Sequence, residues 1–332
     1  MVRITMIRYN KSLLPLLKQW DPNMPSSSQD WPNITFSGHE TFTLRSNWLK
    51  KAFDLLQDIP DLFRRDDAFV LLGVGKNMAQ SIRFWGRATG LFERTETGDM
   101  RATELGVALL ADNGWDPFLV TAAGRWLLHY QIVSNPDPAF TWYYTFNVLK
   151  RGDFTVNSIR SNIIDFINRK INKMPSENTL NRDIDCMVRC YVRTPARSLV
   201  QPLEELLHCP LLDLNLIQAL PDQSGYRLAS GAQPDLPDAL VALAAFRQAR
   251  WQQRATLSFN DLAYGERSPG RIFRLDEDSL LSRLFLLEEI TGGVASYSDS
   301  GGIRQVIWRD LNQSQLERKL IESAFASENT YA

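Results

Sequence analysis

Two helical patterns meet at the bend Gly73-Val74-Gly75, and a chain that turns so sharply between helices has few folds open to it. Before the bend, residues 66–72 read as a short helix. After it, residues 76–89 read as a longer one, closed by Gly90. Residues 91–95 and 101–104 then read as short strands around Gly98-Asp99. Helix, glycine bend, helix and ribbon is the order of a winged helix-turn-helix unit. Upstream, Trp48, Leu49, Ala52, Phe53, Leu55 and Leu56 keep helical spacing until Pro60 stops the run.

The order recurs. Residues 154–171 and 177–192 read as helices joined at Pro175-Ser176, followed by a ribbon over 214–229 that turns at Gln223-Ser224-Gly225. A third version runs through helices at 239–251, 259–264 and 276–290 to a hairpin pairing 294–297 with 303–308. The expected fold is therefore mainly α with short β-hairpins (α+β), built as tandem winged helix-turn-helix-like units. A Pro- and Ser-rich tether would occupy 1–35, and the three units 36–125, 126–232 and 233–332. A chain of 332 residues, 44% of them hydrophobic, has ample material for such cores and is too apolar to be disordered along most of its length. Its longest apolar stretch, 239–246, is far short of the roughly 20 residues a bilayer needs. No leader pattern opens the sequence and three cysteines cannot build a disulfide framework, so the expected compartment is the cytoplasm.

Net charge is −1 for the whole chain and hides a segregation. Residues 150–197 carry 10 basic against 5 acidic side chains, while 198–332 carry 12 against 18. The basic block suits a polyanion, or else it matches the acidic block within the molecule. Lys76, Gln80, Arg83 and Arg87 fall on one helical stripe, with Met78, Ile82 and Trp85 on another. Arginine and glutamine can bond base edges in a major groove and lysine can neutralise phosphate, so this stripe is a candidate reader of double-stranded DNA. A solvated helix face is the alternative. Arg182, Arg189 and Arg193 share a second face with Asn178 and Asp185, near Lys170, Lys173 and Arg197. Asp185 would repel a phosphate backbone unless it accepts from cytosine or pairs with an arginine. The third unit, apolar and acidic, is a poor reader.

Catalytic signals are sparse. Gly73-Val74-Gly75-Lys76 is no phosphate loop, because Val70 and Asn77 stand where that loop needs a glycine and a hydroxyl. Cys186 and Cys190, with His208 and Cys209 further on, lack the tight paired spacing of zinc sites and are better taken as small core residues. His129 lies in an apolar run and reads as buried and satisfied. His39-Glu40 sits between Phe36 and Phe42 just before a helix, where a hydrogen-bonded cap is one reading. The other is a metal or general acid–base pair completed by Asp66 or Asp67.

Phe36-Ser37-Gly38-His39-Glu40-Thr41-Phe42, Asp66-Asp67, Leu72-Gly73-Val74-Gly75-Lys76-Asn77-Met78 and Ser81-Ile82-Arg83-Phe84-Trp85 together resemble a bacterial family. It is the family of SspB-type proteins of single-strand DNA phosphorothioation (Ssp) defence systems, encoded beside phosphosulfate-reductase-like proteins. Asn178–Cys186 and Pro269-Gly270 with Phe273-Arg274-Leu275 extend the likeness, which runs from Phe36 to Trp308. The resemblance implies a DNA-binding, DNA-nicking subunit, or a non-catalytic adaptor that recruits the sulfur-transfer enzyme. It also implies a cysteine desulfurase, an ATP-pyrophosphatase sulfur-transfer protein and an ATPase as companions. For nicking, His39, Glu40, Asp66 and Asp67 are the candidates, with Glu40 and Asp67 as ligands of Mg²⁺ or another divalent metal.

Overall fold

Glycine at position 73 adopts φ +60, which lets the chain leave one helix and enter the next within a few residues. The computed structural model describes residues 34–170, 175–193 and 209–326. Lys173, Arg197, His208 and nearly all of the expected tether lie outside the described residues. The first group of elements is α1 (Ser46–Asp58), α2 (Ala68–Leu71), α3 (Lys76–Ala88), the antiparallel ribbon β1 (Phe92–Arg94) and β2 (Met100–Ala102), and α4 (Glu104–Leu110). Helix α3 touches the ribbon so closely that a Cβ on Gly86 would stand 2.0 Å from the Phe92 ring.

Next come α5 (Ala122–Ser134), α6 (Phe140–Tyr143), which widens into a π turn over Tyr144–Val148, β3 (Asp153–Phe154), α7 (Val156–Lys170), α8 (Glu177–Tyr191), β4 (Ile217–Ala219) and β5 (Tyr226–Leu228). The last group is α9 (Asp238–Gln252), β6 (Thr256–Ser258), α10 (Phe259–Tyr264), α11 (Pro269–Ile272), α12 (Glu277–Leu284), α13 (Leu287–Ile290), β7 (Ala295–Ser300), β8 (Ile303–Trp308) and α14 (Ser314–Ala326). Both three-stranded sheets are antiparallel, in the orders β3-β5-β4 and β6-β8-β7. The fold is thus mixed α and β, mainly helical with small sheets. No described helix is long and apolar enough to cross a membrane.

Several expectations shift. The expected helix over 276–290 is two helices, parted where Leu286 N–H bonds back only three residues, to the Arg283 carbonyl. Strands β3 and β6 went unseen because two or three residues are too short to show alternation. The expected boundary at 125/126 falls inside α5. That helix starts where the Thr121 hydroxyl caps the Gly124 amide, while Asp116 accepts bonds from the Val120 and Thr121 amides and the Thr121 hydroxyl.

Two helices are buried on all sides and form the centre. In α5 every residue from Ala123 to Val133 except Arg125 is buried, and in α9 all of Ala239 to Phe246. A helix apolar around its whole circumference belongs in a core, and each fully buried Leu or Phe contributes roughly 1.5–3 kcal/mol. Arg247 and Arg250 of α9 both pair with Glu317 of α14, at 2.9 and 2.6 Å. At the far end of α14, Phe325 stacks on Trp115, 5.4 Å between centroids, which ties the last helix to the first group.

His129, fully buried on α5, joins the rest. The Tyr191 hydroxyl of α8 lies 2.8 Å from Nδ1, and the Ile272 carbonyl of α11 lies 2.8 Å from Nε2. A carbonyl only accepts, so Nε2 carries the proton and the neutral ring accepts from Tyr191. Burial pushes the His129 pKa down to about 4, against the pull of the carbonyl. Above about pH 6.5 neither folded nor unfolded chain holds a proton here; below it the unfolded chain takes one up and the folded chain resists. Stability should fall as pH drops from about 6.5 towards about 4, by on the order of 3 kcal/mol from this residue. Urea denaturation across that range should show the decline, and His129→Gln should remove that part of it. An identical pH profile for wild type and variant would show that His129 is not its source.

Candidate nucleic-acid interface

Helix α3 divides as its periodicity requires. Ala79, Ile82, Trp85 and Gly86 are buried, and the Trp85 indole N–H donates to the Phe42 carbonyl at 3.0 Å. Lys76, Gln80, Arg83 and Arg87 are all exposed in one row on the other side. Across the turn, Arg94 of β1 joins them. Partial burial of the Arg83 guanidinium, then the like charges of Arg87 and Arg94, depress its pKa, which marks a cluster of mutually repelling cations. Arg87 also feels the charge of Asp137 without bonding it. Among the described residues, Lys76, Arg83, Arg87 and Arg94 make no salt bridge. Other strand arginines do: Arg101, on the partner strand of the same ribbon, with Glu93 at 2.6 Å, Arg227 with Asp153 at 2.6 Å and Arg304 with Asp299 at 3.2 Å. Unpaired like charges gathered on one face are stabilised only by a polyanion or by salt.

The second expected face is more occupied. Arg182 is exposed and makes no salt bridge with the described residues. Arg189 pairs with Asp185 at 2.9 Å and donates to the Thr41 carbonyl at 2.7 Å, while Arg193 pairs with Asp213 at 3.1 Å. Arg189 thereby ties the second group of elements to the first, while Arg193 is committed within the second. Lys170 closes α7.

His39 is fully buried, and its partner is a residue that sequence reasoning passed over. Nε2 lies 2.8 Å from Asp183 of α8, and the Ser37 amide donates to the same oxygen at 2.6 Å. The Ser37 hydroxyl donates to the Thr179 carbonyl at 3.0 Å. Phe84, Trp85 and Trp142 surround the imidazole, with centroids 5.5, 6.5 and 5.7 Å away. Ser37, Glu40 and Thr41 all adopt positive φ, 60, 48 and 67, a strained run that persists because α8 grips it on both sides. Burial opposes a charged ring, while the hydrogen bonds and charges of Asp183 and Cys186 outweigh it and raise the His39 pKa. The Thr41 amide works the other way, since it donates to Nδ1 at 3.0 Å and needs that nitrogen bare. Both ring nitrogens are satisfied together only by a neutral ring donating to an Asp183 carboxylate.

Glu40 is half-buried beside this pair, and Asp66 is exposed. Asp67 is exposed, and both of its oxygens are taken by Arg65, at 2.9 and 3.1 Å. Among the described residues, no three or more His, Cys, Asp or Glu side chains gather as a metal site. As the structure stands, both oxygens of Asp67 are committed to Arg65. Cys186, Cys190 and Cys209 are buried free thiols, and burial pushes the Cys190 thiol well up. Arg94 and Asp183 were missed for one reason: each meets its site only through the fold.

The family model described as "Protein of unknown function (DUF4007)" matches residues 36–325. Two solved structures are similar. One is a magnesium ion-bound crystal structure of SspB, 27% identical, covering 90% of this chain and 97% of that one with a TM-score of 0.74. The other is a second SspB crystal structure, 29% identical, covering 90% and 94%, also with a TM-score of 0.74. No curated protein matches the chain. With a bend, a cationic row and a buried His–Asp clamp inside the matched span, the chain belongs to the DUF4007 family and is similar to SspB over 90% of its length.

Proposed function

We propose that this chain is the DNA-binding component of an Ssp-type phosphorothioation system, with α3 as the reading helix of a winged unit on double-stranded DNA. The observation that carries the reading is the exposed row Lys76, Gln80, Arg83 and Arg87, flanked by Arg94 and bonded to no carboxylate among the described residues. The ribbon β1–β2 follows the helix as a wing would, and Arg94 on it would meet phosphate. In the second and third groups the last strand lies in the middle of its sheet, an order that supports the further division into winged units. Arg182, Arg189 and Arg193, with Lys170 and Lys173, form the second proposed contact, and Arg182 is its most available member. The desulfurase, the ATP-pyrophosphatase sulfur-transfer protein and the ATPase are the proposed partners.

A narrower proposal is that the chain nicks DNA. The magnesium ion named for one SspB structure supports a divalent metal. Glu40 and Asp67 are the proposed ligands, with His39 and Asp66 beside them, and Asp67 would have to leave Arg65. The competing reading, a non-catalytic adaptor, is favoured by those same commitments: Asp67 to Arg65 and His39 to Asp183.

Duplex binding tests the first proposal. Arg83→Ala should cost about 1–3 kcal/mol and relax sequence preference. Lys76→Ala should weaken all sequences alike and lower the salt slope by about one. Unchanged affinity in both variants overturns it. For nicking, supercoiled plasmid should become open circle with Mg²⁺, and Glu40→Ala or Asp67→Ala should abolish the conversion. Plasmid that binds but stays supercoiled at every Mg²⁺ concentration establishes the adaptor. His39→Ala should lower unfolding stability by about 3–5 kcal/mol, because it strands a buried carboxylate. A variant as stable as wild type but unable to nick would place His39 in catalysis instead.

A further inference from the structure

Beside the C-terminal end of the α3 row, a cleft of about 500 Å³ opens between α3, α5 and α9, and Arg87 lies on its lining. Its lining holds four arginines, Arg87, Arg247, Arg250 and Arg267, against one carboxylate, Glu317, a net of +3. Arg247 and Arg250 already share Glu317. This cationic cleft lies partly in the third group of elements, whose sequence block is acidic overall.

Two buried side chains make it more than a charged hollow. Gln131 is 5% exposed and Gln248 is 1% exposed, and each leaves one polar atom without a hydrogen-bond partner. The neighbours fix which atom. Arg247 donates to Gln131 Oε1 at 3.0 Å, so the orphan is the donor Nε2. Gln248 Nε2 donates to the Asp261 carbonyl at 2.8 Å, so the orphan is the acceptor Oε1. Leaving such groups unmade carries a desolvation penalty, which a ligand that supplies the complement relieves. Trp251 adds a half-buried indole, with the Arg267 guanidinium 4.6 Å from its ring centroid.

We propose that this cleft takes one nucleoside phosphate, its base edge on Gln131 and Gln248 and its phosphate on the arginines. Every nucleobase presents an acceptor beside a donor on its pairing edge, which is what the two orphaned atoms require. A flat ring suits the Trp251–Arg267 stack. The volume lies within the range of small-molecule pockets. Two sources share this chemistry: a free nucleotide, or a nucleotide extruded from a strand lying on the α3 row, which reaches the cleft at Arg87. The strand source rests on the DNA-binding reading above; the free source does not.

The test uses the full chain, Gln131→Glu and Gln253→Glu. The first keeps the oxygen that Arg247 bonds and replaces the free donor with an anionic oxygen. The second places a carboxylate on an exposed position of the lining and leaves the core untouched, so it serves even where the first fails to fold. Calorimetric titration with the four deoxynucleoside 5′-monophosphates reads the free source. Wild type should bind, and each folded variant should lose at least about tenfold. The affinity ratio of mismatched to matched duplex reads the strand source, because extrusion is cheaper at a mismatch. Wild type should prefer the mismatch and the variants should not. Either pattern supports the cleft and names its source. Absence of both, or variants that match wild type in both, overturns it. Arg83 lies outside the cleft lining, so an unchanged Arg83→Ala affinity would fault the duplex reading alone.

Discussion

His129 satisfies both ring nitrogens only when α8 and α11 are docked against α5, because one partner is a tyrosine hydroxyl from the second group and the other a carbonyl from the third. An imidazole left in that apolar centre with either partner withdrawn would carry an unmet polar atom, so the second and third groups of elements assemble jointly. The encircled helices α5 and α9 supply the apolar mass around this point, and Arg247 and Arg250 extend the linkage to α14 through Glu317. The relative placement of the groups shapes the cleft, whose lining takes Arg87 from the first, Gln131 from the second and Arg250 from the third.

The electrostatics depend on which charges remain after internal pairing. The basic middle block spends Arg189 on Asp185 and Arg193 on Asp213, so part of its surplus is absorbed inside the molecule. The first 149 residues balance 15 basic against 15 acidic side chains, yet Lys76, Arg83, Arg87 and Arg94 there make no salt bridge with the described residues. Segment charge is therefore a poor guide to where a polyanion would rest.

Local features were legible. The row from Lys76 follows from helical period alone once the glycine bend fixes where the helix starts, and the ribbon behind it follows from Gly98. The helix expected over 239–251 is there as α9. What escaped is non-local or very short. His39 meets Asp183 across 144 positions, and only the chain path brings α8 over the loop. Gln131 and Gln248 look like ordinary glutamines in sequence; their importance lies in an unmet atom, which exists only once Arg247 and the Asp261 carbonyl have claimed the other. Helix α5 went unread because its apolar run is continuous around His129 and shows no single face.

The missing side chain at Gly86 lets the Phe92 ring lie directly on α3. That contact seats the ribbon backbone on the helix, so the spacing between the Arg94 and Arg83 backbones is built into the fold, while their exposed guanidiniums keep the rotamer freedom of long side chains.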